Sequence, residues 1–213
     1  GGTDCNWLPS INYGNYNKKL LKWATKYSLT NAYHLIPVNK ELVECGYIYT
    51  ENDYSKQGYK SFFPNIKTPF TIIPNGIDTE IYSLKKIQRN PKSFITACSV
   101  LHDSRRRLVK GIDLVLDLAK SNSDYSITIV GGNFPEGFEI PPNVHTIPFI
   151  ENRKLADLYN DFQYYLQLSL TEGFPNALIE AMACGCIPIV SSVGAMPEIV
   201  GQTGIVLKKK NIS

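Results

Sequence analysis

Residues 171–192 read Thr-Glu-Gly-Phe-Pro-Asn-Ala-Leu-Ile-Glu-Ala-Met-Ala-Cys-Gly-Cys-Ile-Pro-Ile-Val-Ser-Ser, and the rest of the chain is organised around them. A polar loop, Thr171 to Phe174, leads into Pro175 and Asn176. An apolar helical run follows from Ala177 to Cys184, and Ile187–Val190 reads as a buried strand. Pro175 can open a helix because the first turn has no use for its missing N–H. Gly185 fits the position just past a helix end, where a left-handed backbone is common. The order is therefore loop, helix, turn, strand.

The chemistry of this stretch lies at the helix start. The amides of Asn176, Ala177 and Leu178 have no intrahelical acceptors, and with the helix dipole they suit an anion such as phosphate. Glu172 stands in the loop before them and Glu180 one turn inside. Carboxylates repel phosphate but accept hydrogen bonds from hydroxyls well. A diphosphate with a hydroxyl-bearing sugar at each end satisfies every group, which describes a nucleotide-sugar. Spacing alone also allows a plainer account, with Glu180 a solvated helix residue and Glu172 a loop charge.

Outward from this stretch, strands and helices alternate from Ser93 onward. Strands are expected at Phe94–Val100, Tyr125–Val130, Val144–Ile147, Tyr164–Leu168 and Gly204–Leu207. Helices are expected at Gly111–Lys120, Asn152–Phe162 and from Pro197 to Val200. Such alternation gives an α/β fold, a Rossmann-like parallel sheet with helices on both faces. Ligands of these sheets bind beyond the carboxyl ends of the strands, where the Glu172 loop falls. Gly131-Gly132 lacks the GxGxxG spacing and reads as a tight strand-to-loop turn. His34, His102 and His145 are isolated and read as structural or solvated, with only His102 in a loop beside the expected site.

Lys110 is the cation best placed for a diphosphate. It precedes Gly111 and a helix start, where the dipole disfavours a cation by ~0.3–1 kcal/mol, so its placement argues for a role. Arg105, Arg106 and Arg107 form a basic loop just ahead of it, either solvated or facing phosphate.

The run from Glu172 to Gly185 resembles the E-x7-E signature of retaining glycosyltransferases of family 4 (group 1), which have the GT-B fold. Ile187-Pro-Ile-Val, Gly194-Ala-Met-Pro-Glu-Ile-Val, Ile73-Pro-Asn-Gly-Ile-Asp78 and Lys110-Gly-Ile-Asp113 are similar to that family in the same order, over about residues 70–207. The resemblance implies a sugar transferase using a nucleotide-diphosphate sugar in polysaccharide or glycolipid synthesis, with retention of configuration. It implies that Lys110 and Glu172 are catalytic. Gly173, Phe174, Pro175, Asn176, Ala177, Leu178 and Glu180 would bind the donor. The family's phosphate arginine at the end of the first strand is missing from Ser99-Val100-Leu101, and Arg105, Arg106 or Arg107 would replace it. A nucleotide-sugar-binding piece without activity alone, or an epimerase of the same fold, are the alternatives. No Asp-x-Asp pair occurs, so no metal and no cofactor beyond the donor is expected.

The resemblance implies that residues 1–72 are the end of an N-terminal, acceptor-side domain with its linker, and 73–213 the donor-binding domain, truncated. The abrupt start, Gly1-Gly2-Thr3-Asp4, reads as a piece of a longer protein. In the first region Tyr16, Leu20, Trp23, Ala24 and Tyr27 recur at helical spacing, predicting a helix over about 15–29 with Lys18, Lys19, Lys22 and Lys26 opposite. Such a helix can lie on an anionic membrane or pack its aromatic face on a core; packing is the simpler expectation. Tyr33–Val38 and Phe70–Ile73 read as short strands, Lys40–Cys45 as a helical turn, Tyr47–Ile66 as irregular, and Asn75-Gly76 as a turn, which the resemblance places at a hinge between two domains.

The chain has 213 residues, 43% hydrophobic and 19% charged, with a net charge of +3, so no polyanion partner is demanded and nucleic acid is not expected. Five cysteines at irregular spacing read as reduced thiols in a cytoplasmic protein, and the basic helix leaves peripheral contact with the inner face of the membrane as the alternative to packing.

Overall fold

In the computed structural model, residues 2–86 and 88–210 are described. Six strands form one parallel sheet: β1 (Asn90–Ala97), β2 (Ser126–Val130), β3 (Val144–Ile147), β4 (Phe162–Gln167), β5 (Ile187–Ser191) and β6 (Ile205–Leu207). Their spatial order is β3-β2-β1-β4-β5-β6. This is the doubly wound order, and it places a topological switch point between β1 and β4. The two central strands meet in register Phe94–Tyr164 and Ile95–Tyr165.

Helices α1 (Lys19–Asn31), α2 (Ser104–Val109), α3 (Ile112–Ser121), α4 (Asn152–Tyr159), α5 (Asn176–Ala183) and α6 (Met196–Val200) account for most of the helix among the described residues. One sheet face buries Ile95, Tyr165 and Val190 under Ala156 and Tyr159 of α4, Leu178 and Ala181 of α5, and Met196 and Val200 of α6. The opposite face buries Phe94, Ile127, Ile129 and Leu166 under Ile112, Val115, Leu116 and Ala119 of α3. Alternate residues of each strand thus serve opposite layers, as the pleat requires.

The expected α/β alternation is present, with several boundaries moved. The first strand begins at Asn90 and stops at Ala97 rather than Val100. Phe162 opens β4 instead of closing α4, because Asn160 caps that helix through its backbone and ties its side chain to the carbonyls of Ser83 and Ala156. Arg105–Arg107 lie in α2 rather than in a loop, since the Asp103 side chain accepts from the Arg106 amide and starts a helix.

The N-terminal region departs more. Residues 15–17 are a separate 3-10 turn, and α1 begins only at Lys19. The expectation that its aromatic face packs on a core is overturned: Leu20, Trp23 and Tyr27 are 73%, 62% and 58% exposed. The inner side is mixed, with Lys22 over the Trp7 ring, Thr25 bonded to Asn15 and Leu29 against the core. The expected strands at 33–38 and 70–73 reduce to one parallel bridge, Leu35 to Phe70. Residues 74–78 hold no tight turn, and the Asn75 side chain donates to that of Asn176 instead. The expected turn at 40–45 shortens to Lys40–Leu42, and within 47–66 appear a helical turn, Tyr59–Phe62, and the strand Lys56–Gln57, which pairs with Cys45–Gly46. These residues fold around Cys5, Tyr16, Leu42, Val43, Tyr59, Phe63 and Ile66. All five cysteines are free thiols.

Candidate functional site

The switch point joins two strand ends through main chain. Beyond β1 the chain forms α2, turns at Lys110 and Gly111, and enters α3. Beyond β4 it runs through Leu168–Thr171 to Glu172. The Leu170 amide donates to the Val109 carbonyl at 2.8 Å. Gly111 adopts φ 68, and a Cβ there would overlap the Leu168 carbonyl. Only glycine allows this approach in this backbone region. On the other side Gly194, also at positive φ, backs onto the Glu172 carbonyl. The loop carrying Glu172 is therefore held between two glycines.

This brings Lys110 and Glu172, 62 positions apart, into direct contact: Lys110 Nζ donates to Glu172 Oε1 at 2.6 Å. Their side chains are 35% and 12% exposed, so the pair is half in solvent on the lysine side. Lys110 does not start a helix as expected. It caps the C-terminus of α2, where the dipole favours a cation, so the argument from an unfavourable placement fails and the ion pair takes its place.

Glu172 is fixed from below by residues that sequence reasoning missed. Ser169 Oγ donates to Oε1 at 2.8 Å and Gln167 Nε2 at 3.0 Å. Gln167 Nε2 also reaches Ser169 Oγ, and the Tyr165 hydroxyl donates to Gln167 Oε1, both at 2.9 Å. All three side chains are buried. The available signal was alternation: Tyr165, Gln167 and Ser169 sit at every second position, and the polar pair follows the buried Tyr165 at the carboxyl end of β4 and just beyond it. Burial, with Glu172 adding to it, pushes the Tyr13 phenol up to about 12. Asn6 donates to Thr171 Oγ1 at 2.6 Å, so the N-terminal segment walls this loop.

Helix α5 starts at Asn176, and no side chain caps it. Pro175 precedes it as the cap residue in extended backbone rather than in the first turn, and its carbonyl accepts the Leu178 amide at 3.1 Å, so that amide is not free as expected; Gly185 after the helix takes φ 86, as the sequence implies. Gly173 offers its carbonyl to the Asn39 side chain, and Phe174 lines a small hollow of about 190 Å³ with Val38, Ile72 and Ile199. Ala177 packs on the core that buries Leu178.

Glu180 lies one turn into α5. Burial raises its carboxyl pKa, and the Tyr82 hydroxyl facing it opposes that rise. Tyr82 is itself pushed up to about 12 by burial and by Glu180, and its buried oxygen makes no hydrogen bond of good geometry. Of the three arginines, Arg107 is turned inward: it donates to the Leu101 carbonyl and lies over Phe138 and Phe134. Arg105 and Arg106 are exposed, Arg106 beside Asp103. His102 is exposed in the turn before α2. Among the described residues no group of three or more His, Cys, Asp or Glu gathers as a metal site.

Comparison with known proteins agrees with this fold. One component of the phosphatidylinositol N-acetylglucosaminyltransferase of Homo sapiens is 26% identical over 157 residues, covering 67% of this chain and 31% of its own length. The GPI3 component of the same-named transferase from Saccharomyces cerevisiae is 26% identical over 211 residues, covering 88% of this chain and 42% of its own. The chain thus spans well under half the length of these relatives. Among solved structures, Anabaena HepE in complex with UDP-glucose superposes with a TM-score of 0.63 at 14% identity, over 93% of this chain and 55% of that one. Residues 85–213 match the sequence profile of Glycosyl transferases group 1, and on that match the chain belongs to the group 1 glycosyltransferases.

Proposed function

We propose that residues 73–213 form the donor-binding part of a transferase that moves a sugar from a nucleoside-diphosphate sugar to an acceptor hydroxyl, with retention. Residues 1–72 would close an acceptor-side lobe. The observation that carries this reading is the Lys110–Glu172 pair at the ends of the two central strands, next to the uncapped start of α5. In it, the bond from the anomeric carbon to the diphosphate breaks and one to the acceptor oxygen forms. Lys110 and the amides of Asn176 and Ala177 meet the charge on the departing diphosphate, the Leu178 amide being taken by the Pro175 carbonyl. Glu172 receives hydroxyls of the transferred sugar, and Glu180 those of the ribose. Gly173, Phe174 and Pro175 shape the loop between them. Arg105 and Arg106 remain candidates for an outer phosphate contact, whereas Arg107 is already engaged. No metal enters this scheme. A chain of this extent, alone, binds the donor without completing transfer if acceptor residues lie elsewhere.

Titration of UDP and UDP-N-acetylglucosamine, with GDP and GDP-mannose beside them, tests the assignment. Glu172→Ala should lose the added affinity of the sugar-nucleotide over the bare nucleotide. Glu180→Gln should weaken the bare nucleotide about tenfold, the worth of one charge-assisted hydrogen bond. Affinity should also fall with decreasing pH as Glu180 is protonated, beginning above the ordinary carboxylate range because burial raises its pKa. The same raised pKa means that the folded chain binds this proton more tightly than the unfolded one. Ionised Glu180 thus costs stability at neutral pH, and Glu180→Gln should not lower the melting temperature. Unchanged affinities in both variants would refute the site.

The acceptor side suggests a lipid surface, since the relatives above are named for transfer to phosphatidylinositol. The outward stripe of Leu20, Trp23 and Tyr27 on α1, flanked by Lys19 and Lys26, suits an anionic bilayer, and residues 5–40 contain no acidic side chain. No helix among the described residues is long and apolar enough to cross a membrane. Cosedimentation with vesicles containing phosphatidylserine, but not with phosphatidylcholine alone, is expected, and Trp23→Ser with Tyr27→Ser should abolish it. Equal binding to both lipids, or none, counts against the contact. Placement in the cytoplasm, in polysaccharide or glycolipid synthesis, follows from the same reading.

A further inference from the structure

We propose that Gln167 is a positioning residue that commits one oxygen of Glu172 to the protein and leaves the other for the donor sugar. The inference rests on the donor-site reading above and deepens it. Oε1 of Glu172 accepts from Lys110 Nζ, Ser169 Oγ and Gln167 Nε2, at 2.6, 2.8 and 3.0 Å. Three donors fill the acceptor capacity of one carboxylate oxygen. A sugar hydroxyl arriving from the cleft therefore meets Oε2.

The amide of Gln167 is not free to turn over. The Tyr165 hydroxyl donates to its Oε1, and Ser169 Oγ lies with Glu172 on its Nε2 side. A flip would set the amide oxygen against the carboxylate while the NH2 met the phenol. Ser169 is anchored in turn, since Ser191 Oγ on the next strand donates to its carbonyl. Tyr165, Gln167 and Ser169 are all nearly solvent-free, so water cannot stand in for a missing partner. The chain of bonds starts under the sheet and ends on the carboxylate at its edge. Its function is orientation: a glutamate with free torsions presents either oxygen over a wide arc, and a clamped one presents a single oxygen in one direction.

A plainly structural glutamine would show its loss in stability and in every ligand alike. A positioning glutamine shows it in sugar recognition alone. Two variants separate these. Gln167→Met keeps the length and removes the amide. Gln167→Glu keeps the shape and replaces the donor with an acceptor facing Glu172. Both are to be measured beside wild type and Glu172→Ala, by titration with UDP, UDP-N-acetylglucosamine, GDP and GDP-mannose, with melting temperatures taken in parallel. The expected result is a five- to tenfold loss of the sugar-nucleotide's advantage over its bare nucleotide in Gln167→Met, a greater loss in Gln167→Glu, and bare-nucleotide affinity within twofold of wild type. If both variants keep the full advantage while Glu172→Ala loses it, Gln167 does not position Glu172, and the donor site stands. If Glu172→Ala keeps the advantage, the donor-site reading falls first. If the variants lose bare-nucleotide affinity and melting temperature in proportion, the residue is structural only and the proposal is overturned.

Discussion

Replacing Lys110 by Met is expected to lower sugar transfer about 10³-fold, equivalent to about 4 kcal/mol of transition-state stabilisation. Two losses combine. On the proposed donor site, a departing diphosphate would lose a cation whose worth is greatest as charge develops. Glu172 loses its counter-ion, and a carboxylate that is 12% exposed is then left with two neutral donors. Because the lysine is one-third exposed, that part costs about 2 kcal/mol rather than the 3–5 kcal/mol of a fully buried pair. At this chain length the melting temperature should fall by about 4–8 °C. The two losses can be separated. Lys110→Met with Glu172→Gln removes the stranded charge, so melting should recover while transfer stays low. Kinetics and melting of both single variants and the double variant form the cycle. Wild-type transfer in Lys110→Met would exclude the lysine from the reaction.

Much of this arrangement was legible in the chain. Periodicity from Ser93 onward carried the alternating strands and helices, because a strand buried on both faces and a helix with one apolar side leave different spacings. Pro175 and Gly185 marked the two ends of α5. Glu172 and Lys110 could be singled out because strand ends in such sheets face ligands. What the sequence withheld depended on partners far away in the chain. The Lys110–Glu172 contact spans 62 positions, and the capping of α2 by Asp103, which reverses the dipole argument for Lys110, is a local competition that charge counting overlooks. Gln167 was hidden because a polar residue in a strand is ordinarily assigned to the solvent face. The outward aromatic stripe of α1 was unreadable for a different reason: periodicity shows that a helix has two faces, but not which one the rest of the fold turns inward.

The second large effect concerns stability. Gly111→Ala should destabilise the chain by about 3–5 kcal/mol, at the diagnostic end of single substitutions. Its φ of 68 is disfavoured for a residue with a Cβ, at about 1–2 kcal/mol. The larger part is steric, because the new methyl group would occupy the space of the Leu168 carbonyl and backbone has nowhere to rotate. To admit it, the α2–α3 turn must lift from β4, stretching the 2.8 Å bond from the Leu170 amide to the Val109 carbonyl. Denaturant unfolding gives the stability change. Gly137→Ala is the internal control, since its φ of 75 is similar but nothing stands within 4 Å of the added carbon. If the two variants lose equal stability, backbone conformation alone is responsible and the close contact at Gly111 contributes nothing.

That close contact has a bearing on how such a protein diversifies. The approach of the two strand-end loops is written into peptide groups, through Val109 with Leu170 and Gly111 against Leu168, while Ser169 and Gln167 set only the direction of the carboxylate. Exposed side chains nearby can therefore be exchanged over time while the two loops that carry the charges keep their approach.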